Sequence, residues 1–119
     1  MNPLDSQSGM LSRLMDAMAL RQRVLSHNVA NINTPGFKRL EVQFEETLQS
    51  ALSSKKPGAT EGIQPVVRET KGLPARMDGN TVDLDQEVGE MQRTTLLFQT
   101  YTQLLHTRLG MMRRAMESR

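Results

Sequence analysis

The stretch that most constrains the fold is an eleven-residue run, 28–38, in which a long helical pattern meets a proline–glycine turn. Residues 10–32 contain neither Pro nor Gly, so they are predicted to form one continuous helix. The helix has to end at Thr34, because a residue that precedes proline is sterically kept out of the helical region. Pro35 has a fixed φ and Gly36 tolerates a positive φ, which together suit the middle of a type II turn. The sequence therefore predicts a long N-terminal helix that ends in a defined change of chain direction.

Two asparagines lie near the end of this helix. Asn28 and Asn31 are three residues apart and so share one face of the last turns. Asn is a weak helix former, and two of them reduce the stability of the helix. That cost is offset if their amides, which donate and accept, bind another backbone or side chain. The alternative is that they only fray and cap the helix end.

The same run resembles the N-terminal signature of the axial proteins of the bacterial flagellum, the family of rod, hook and hook-associated proteins. The matching residues are Ala30, Asn31, Thr34, Pro35, Gly36, Phe37 and Lys38. With Asn28 added, we refer to these residues as the assembly motif, because the resemblance implies a role for them in building the flagellum.

The N-terminal helix, predicted over residues 10–33, carries an apolar seam with alternating spacings of three and four. This is the heptad period of a helix that packs against another helix. The seam consists of Leu11, Leu14, Met18, Leu25 and Ile32. Arg21 and Asn28 occupy its polar positions, where such residues either fix the register of packing or extend to solvent at the edge.

A second long helix is predicted over residues 81–119. Asp83, with Gln86 three residues later, has the pattern of a capping box. Acids near the start, Glu87 among them, and arginines near the end complement the helix dipole. Its apolar seam again has the heptad period: Leu84, Val88, Met91, Phe98, Leu105, Leu109 and Met112.

The predicted fold is mainly α, with the two long terminal helices paired as an antiparallel coiled coil. Residues 1–9 are predicted to be a flexible N-terminus. Residues 34–52 contain the turn, followed by either an extended arm or a short helix, and the pattern does not choose between them. Residues 53–80 are rich in Pro and Gly and are predicted to form a flexible loop, extended or partly disordered. Within it, residues 66 and 67 are predicted to form a strand when a neighbour is present.

Residues 78–87 resemble the start of the C-terminal helix of the proximal rod members of this family. The short chain agrees, because hook proteins insert large β domains between their two helices. The resemblance implies a structural subunit of the basal-body rod in the periplasm, which polymerises into the drive shaft that transmits torque from the motor to the hook. It also implies self-association and contacts with other rod proteins and with membrane-ring or rod-base adaptor proteins. Export would be in the unfolded state, by the flagellar type III export apparatus.

Several kinds of chemistry are not expected. The chain has no Cys, which excludes disulfides and thiolate metal sites. No apolar run reaches the roughly 18 residues of a membrane span. His27 and His106 are isolated, and no phosphate-binding loop or nucleophile motif occurs, so we expect no metal, no cofactor and no enzymatic activity. A net charge of +2 without a basic stripe argues against nucleic acid as a partner.

Two alternative functions remain at this stage. One is a basic amphipathic helical protein that binds a membrane surface or nucleic acid. Its candidate residues are Arg13, Arg21, Arg23, Lys38, Arg39, Arg113 and Arg114. The other is a coiled-coil adaptor or chaperone of a secretion apparatus, which explains the seams but not the assembly motif.

With four aromatic residues and nine Met in 119, the chain is expected to complete its small core with neighbours.

Overall fold

The computed structural model describes residues 3–118 and contains three helices and one pair of strands. In chain order these are α1 (Pro3–Ala30), β1 (Leu40–Gln43), α2 (Glu45–Ser53), β2 (Val66–Glu69) and α3 (Leu84–Glu117). The molecule is elongated, with extents of 67 × 28 × 14 Å. α1 and α3 lie antiparallel, since Asn28 contacts Glu87 near one end while Leu11 and Arg108 line one groove near the other. The predicted fold, mainly α with paired long terminal helices, is confirmed.

α1 begins seven residues before its predicted start. Residues 3–9 are helical, so the prediction of a flexible N-terminus is wrong for them, while Met1 and Asn2 lie outside the described residues. Pro3 fits at the start because the first amides of a helix have no partner within it, and proline lacks only that amide. Gly9 is a cost within it, and the neighbouring Gln7 and Met10 line a groove together with Leu104 and Arg108 of α3.

Both structures that the sequence allowed for residues 40–52 form, one after the other. β1 is followed directly by α2, and Phe44 lies between them with 1% of its surface exposed. The alternation of apolar residues describes the strand, while Leu48 and Ala51 turn the apolar side of α2 towards the same core. Phe44 anchors this segment to the side of α1.

The predicted flexible loop contains an ordered strand. β2 pairs antiparallel with β1, so that Leu40 faces Glu69 and Gln43 faces Val66. Residues 66 and 67 thus form a strand, and the neighbour with which they pair lies in the same chain. A long connection does not prevent this pairing, since the entropy of closing a loop rises only slowly with its length.

The apolar core is small and lies on one side of the helix pair. Ala17, Met18, Phe44 and Ile63 are buried in it. The half-buried residues packed around them are Leu14, Leu48, Ala51, Leu97 and Tyr101. The segment between the long helices that contains Phe44, Leu48, Ala51 and Ile63 is called the middle segment here. It covers one side of the α1–α3 pair, over the central part of its length.

The residues of the two predicted seams differ in how deeply they are buried. In α1, Met18 and Leu25 are buried, and Leu11, Leu14 and Ile32 are half-buried. In α3, Met91, Leu105 and Met112 are half-buried. The other members of that seam are exposed, by 47% for Leu84, 43% for Val88, 37% for Phe98 and 51% for Leu109.

The side of α3 that packs on α1 is therefore rotated by roughly 60° from the predicted seam. Its buried residues are Glu87 and Thr94, and Leu97 and Tyr101 contribute to the core. The heptad pattern missed this side because it follows apolar residues only, whereas two central positions here are polar. Over residues 3–118, no helix combines the length and the apolar character that crossing a membrane requires.

Candidate functional site: the junction of the two long helices

The end of α1 and the start of α3 are joined by a dense network of polar contacts. It involves residues 28–40, which contain the assembly motif, and residues 76–87, which lead into α3. We call these two stretches together the junction. Each resembles part of the flagellar axial family, and the structure brings them into direct contact.

The turn after α1 has the geometry that Pro35 and Gly36 predict. The amide of Phe37 donates to the Thr34 carbonyl at 3.2 Å, and Gly36 has a φ of +74°. These are the features of a type II turn with glycine at its third position. The amide of Gly36 donates to the Asp78 carbonyl at 2.8 Å, which fixes the turn against the second stretch of the junction.

Asn28 connects three elements with one side chain. It is fully buried, and its amide nitrogen donates to the Leu40 carbonyl at 2.8 Å and to Glu87 Oε2 at 3.1 Å. Its oxygen accepts from the Leu40 amide at 3.0 Å. An asparagine in this helix therefore binds the first residue of β1 as another strand would, and also reaches α3. The interpretation of Asn28 as a residue that meets another backbone describes this geometry.

Glu87 and Arg39 form a buried ion pair in the centre of the junction. The carboxylate of Glu87 is fully buried and accepts from Arg39 Nε as well as from Asn28. A second nitrogen of Arg39 donates to Thr70 Oγ1 at 2.9 Å, and the Arg39 amide donates to Thr81 Oγ1 at 2.8 Å. A charge buried in this way requires a partner, so α3 cannot rotate away from Arg39 without a large electrostatic cost.

Asn80 binds the turn that follows α1 from a distant part of the chain. Its amide nitrogen lies 2.9 Å from the Asn31 carbonyl, 3.1 Å from that of Ile32 and 2.9 Å from that of Thr34. These carbonyls belong to the turn that follows α1, so the contacts fix this turn against the second stretch of the junction. The Arg76 guanidinium also donates to the Ile32 carbonyl. The Asn80 oxygen accepts from the Val82 amide at 2.7 Å, which orders the chain that enters α3.

The other polar members of the assembly motif also have partners within the chain. Asn31 donates to the His27 carbonyl at 2.9 Å and accepts from the Thr34 hydroxyl at 3.1 Å. Lys38 Nζ donates to the Gly79 carbonyl at 2.7 Å. The rings of His27 and Phe37 meet edge to face with centroids 5.6 Å apart.

Five members of the motif are exposed: Ala30, Thr34, Pro35, Gly36 and Lys38. The motif thus shapes the junction itself and leaves a small surface around the turn open to solvent.

A second ion pair lies at the polar position of the α1 seam. Arg21 donates to both carboxylate oxygens of Glu45, at 2.5 and 2.6 Å, and to the Val42 carbonyl at 3.0 Å. This hydrogen bonding raises the pKa of Arg21 and lowers the pKa of Glu45. Arg21 therefore ties α1 to the start of α2 instead of extending into solvent.

The same contacts weaken the alternative of a basic binding surface. Three of its proposed residues, Arg21, Lys38 and Arg39, are engaged with acceptors of the same chain. Across the described part of the chain, the acidic and histidine side chains also do not gather in groups of three or more that could hold a metal ion.

Sequence reasoning missed the two central residues of the junction. Glu87 was interpreted as a partner of the helix dipole, and no role was predicted for Asn80. Both lie in the 78–87 stretch that resembles the family, and that was the available signal. Their roles depend on contacts with residues more than 40 positions away, which local patterns do not record.

Comparison with known proteins shows the class of protein and the family to which the chain belongs. Residues 11–38, which hold most of α1 and the whole turn, match the family model described as "Flagella basal body rod protein". The flagellar basal body rod protein FlgB of Yersinia ruckeri is 30% identical over 92% of this chain and 95% of its own length. FlgB of Yersinia enterocolitica is 30% identical over 82% and 85%, and FlgB of Aeromonas hydrophila 29% identical over 95% and 94%. The chain belongs to the FlgB family of flagellar basal body rod proteins, as the resemblance of its two junction stretches predicted.

Proposed function

We propose that the chain is a structural subunit of the flagellar basal-body rod, located in its proximal, periplasmic part. In this role it polymerises into the shaft that transmits torque from the motor to the hook, and it catalyses no reaction. Membership of the FlgB family supports the rod and the basal body. The observation that carries the mechanism is the junction, because it holds the two long helices in one fixed relationship.

A shaft under torque needs subunits that do not change shape, and the junction resists such a change. Twisting α3 relative to α1 would separate Glu87 from Arg39 and Asn28 while the carboxylate stays buried. Removing one partner of a buried ion pair typically costs several kcal/mol. The same movement would uncover the carbonyls of the turn after α1, which Asn80 and Arg76 now bind. The assembly motif therefore acts on the rod through the rigidity of each subunit.

The proposed partners are copies of this chain, other rod proteins, and membrane-ring or rod-base adaptor proteins. The exposed apolar side chains of α3, such as Val88 and Phe98, support contacts with neighbours. Export through the flagellar type III apparatus in an unfolded state is supported by the small core. Only eight apolar residues are buried among those described, so little free energy opposes unfolding.

The proposal is tested by locating the protein in the flagellum. Basal bodies would be purified from cells in which a tagged copy replaces the chromosomal gene, and the tag would be detected by immunogold labelling. We expect label on the rod, close to the membrane rings. Cells that lack the gene should not swim and should build basal bodies without rods. Complete rods in the deletion strain would contradict the proposal.

A further inference from the structure

Asp78 and Gly79 form the one Asp–Gly pair in the sequence, which contains no Asn–Gly pair. An aspartate followed by glycine is the aspartyl pair most prone to isomerise, because glycine has no side chain to hinder attack by its backbone nitrogen on the preceding carboxyl group. The pair lies in the junction, where the amide of Gly36 donates to the Asp78 carbonyl at 2.8 Å. A change of the backbone at Asp78 would therefore act directly on the junction.

The isomerisation changes the backbone in two steps. First, the Gly79 nitrogen forms a bond to Cγ of Asp78, and the carboxyl oxygen leaves as water with the proton of that nitrogen. Second, water adds to one of the two carbonyls of the resulting five-membered imide ring. When the ring opens at the former main-chain carbonyl, the chain continues through Cγ and that carbonyl becomes the free carboxylate. The product, isoaspartate, has the same composition as aspartate but one more carbon in its backbone, and the reaction needs no reactant other than water.

The folded chain holds the attacking nitrogen away from this reaction. Residues 76–80, called the Asp78 turn here, have the hydrogen-bond pattern of a three-residue loop that ends in a left-handed glycine. The Gly79 amide donates to the Arg76 carbonyl at 2.8 Å, and the Arg76 amide donates to the Asn80 carbonyl at 2.9 Å. Gly79 has a φ of +85°. The nitrogen has to lose its proton in order to attack, and here an acceptor binds that proton.

The carboxylate of Asp78 is fixed by the same turn, although it is open to water. Its Oδ1 accepts from the Asn80 amide at 3.0 Å and lies 3.7 Å from Nε of Arg76. The side chain is 38% exposed, so burial is not what protects it. To reach the Gly79 nitrogen, the carboxylate has to leave the Asn80 amide. The protection is therefore a matter of geometry, and unfolding removes it.

Isoaspartate at position 78 is incompatible with the closed junction. The added carbon displaces the carbonyl that accepts from Gly36, and it shifts Asn80, whose side chain binds the turn after α1. The two stretches of the junction also lie too close together to absorb the change. A Cβ on Gly79 would already lie 3.3 Å from the Cα of Gly36, which is a backbone atom.

We infer that Asp78 is a site of isoaspartate formation in the unfolded chain, and that closure of the junction protects it. The inference goes beyond the proposed function, because it concerns a covalent modification of the chain itself. The unfolded chain acquires the modification in proportion to the time it stays unfolded, and a modified chain cannot close the junction. A subunit exported in the unfolded state is exposed to this reaction until it folds, a consequence that rests on the proposed function.

The first test compares the full-length chain in the native state with the same chain unfolded in guanidinium chloride, both at neutral pH. Protein isoaspartate methyltransferase with labelled S-adenosylmethionine counts the modified residues, and electron-transfer fragmentation in a mass spectrometer locates them. We expect isoaspartate at Asp78 to form at least about tenfold faster in the unfolded chain, because the native chain reacts only through local opening of the turn.

Three variants separate the chemistry from the protection. Asn80→Ala removes the side-chain contacts to the turn after α1, so in native buffer its rate of modification should rise towards that of the unfolded chain. Asn33→Ala is the matched control, since Asn33 is exposed in the same turn, and it should react like the unaltered chain. Gly79→Ala, compared with the unaltered chain in guanidinium chloride, should react more slowly at Asp78, because its Cβ hinders the attack.

The effect of the modification is tested on isomerised chain that is separated by reversed-phase chromatography and then refolded. Its Gly36 amide should exchange with deuterium at least about tenfold faster than in unmodified chain treated in the same way, because the acceptor has moved. Equal rates of modification in the native and unfolded chains, no isoaspartate at Asp78 in the unfolded chain, or unchanged exchange at Gly36 would each overturn the inference. The proposed function fails separately, if the deletion strain builds complete rods.

Discussion

The amide of Asn80 donates to the main-chain oxygen of Asn31, 49 positions earlier in the chain, at 2.9 Å. One buried side chain thereby holds the turn after the first helix and lies just before the last. Asn80 also donates to the carbonyls of Ile32 and Thr34, and it has no exposed surface itself. The turn that follows α1 is therefore fixed both by the proline within it and by a segment much later in the chain.

Replacing Asn80 by Asp should destabilise the fold although the side chain keeps its size. An ionised Asp cannot donate, and it would place a negative charge against the carbonyls of Asn31, Ile32 and Thr34. We expect a loss of at least about 2 kcal/mol in the free energy of unfolding, which urea titration followed by circular dichroism would measure. Asn33→Asp is the matched control, because Asn33 is exposed in the same turn. Equal effects of the two substitutions would show that these contacts of Asn80 do not stabilise the fold.

The buried pair of Glu87 and Arg39 should behave as a coupled unit. Glu87→Gln leaves the Arg39 guanidinium buried without its counter-charge, which typically costs about 3–5 kcal/mol. The double variant Glu87→Gln with Arg39→Met removes both charges, so it should recover much of that loss. The measurement is a double-mutant cycle by urea denaturation, with Glu69→Gln, exposed on β2, as the control. Additive losses from the two sites would contradict a direct pair.

Local patterns were sufficient to predict the two long helices, except for the first residues of α1, and the turn. A run without Pro or Gly predicted α1, the pair Pro35–Gly36 predicted the type II turn, and Asp83 predicted the N-cap of α3. The structure has Asp83 accepting from the amides of Asp85 and Gln86. Each of these depends on the conformational preferences of a few adjacent residues, so the sequence alone carries them.

The junction could not be predicted in the same way. The sequence alone does not distinguish Glu87 from any other acid in the first turn of a helix, because its partners Arg39 and Asn28 are distant in the chain. The rotation of α3 has the same origin, since Glu87 and Thr94 occupy the packed side and exclude Val88 and Phe98 from it. Which polar residues are buried depends on partners distant in the chain, and neither composition nor periodicity contains that information.

The pair of Arg21 and Glu45 should make stability depend on pH in the acid range. The hydrogen bond from Arg21 lowers the pKa of Glu45 below its ordinary value of 4.5 in the folded chain. The stabilisation is therefore complete above the unfolded pKa and is lost as the pH falls through the lower folded value. The melting temperature of the unaltered chain should exceed that of Glu45→Gln at pH 7, and the difference should shrink progressively below about pH 4.5.

Glu46→Gln is the control for this titration, because Glu46 is also exposed in the first turn of α2 but bonds only with Gln43 among the described side chains. The difference in melting temperature between Glu46→Gln and the unaltered chain should change little over the same pH range. If the difference in melting temperature between Glu45→Gln and the unaltered chain stayed constant from pH 7 to pH 3, the pair of Arg21 and Glu45 would contribute nothing through charge.

The two glycines of the junction should respond differently to alanine. Gly36 has a φ of +74°, but a Cβ there would meet no atom within 4 Å, so Gly36→Ala should cost only the backbone term of about 1 kcal/mol. Gly79 has a φ of +85°, and its Cβ would lie 3.3 Å from the Cα of Gly36, a backbone atom that cannot move aside easily. Gly79→Ala should therefore cost more than Gly36→Ala, and it should also disturb the Lys38 contact to the Gly79 carbonyl.

Thermal unfolding of both variants and swimming on soft agar would compare them. We expect Gly79→Ala cells to lose rods first, because that change separates the two stretches of the junction, whereas Gly36→Ala strains the turn alone. If Gly36→Ala abolished rods while its unfolding free energy fell by 1 kcal/mol or less, the turn would have to act on a neighbouring subunit, and rigidity of the single chain would not explain its role.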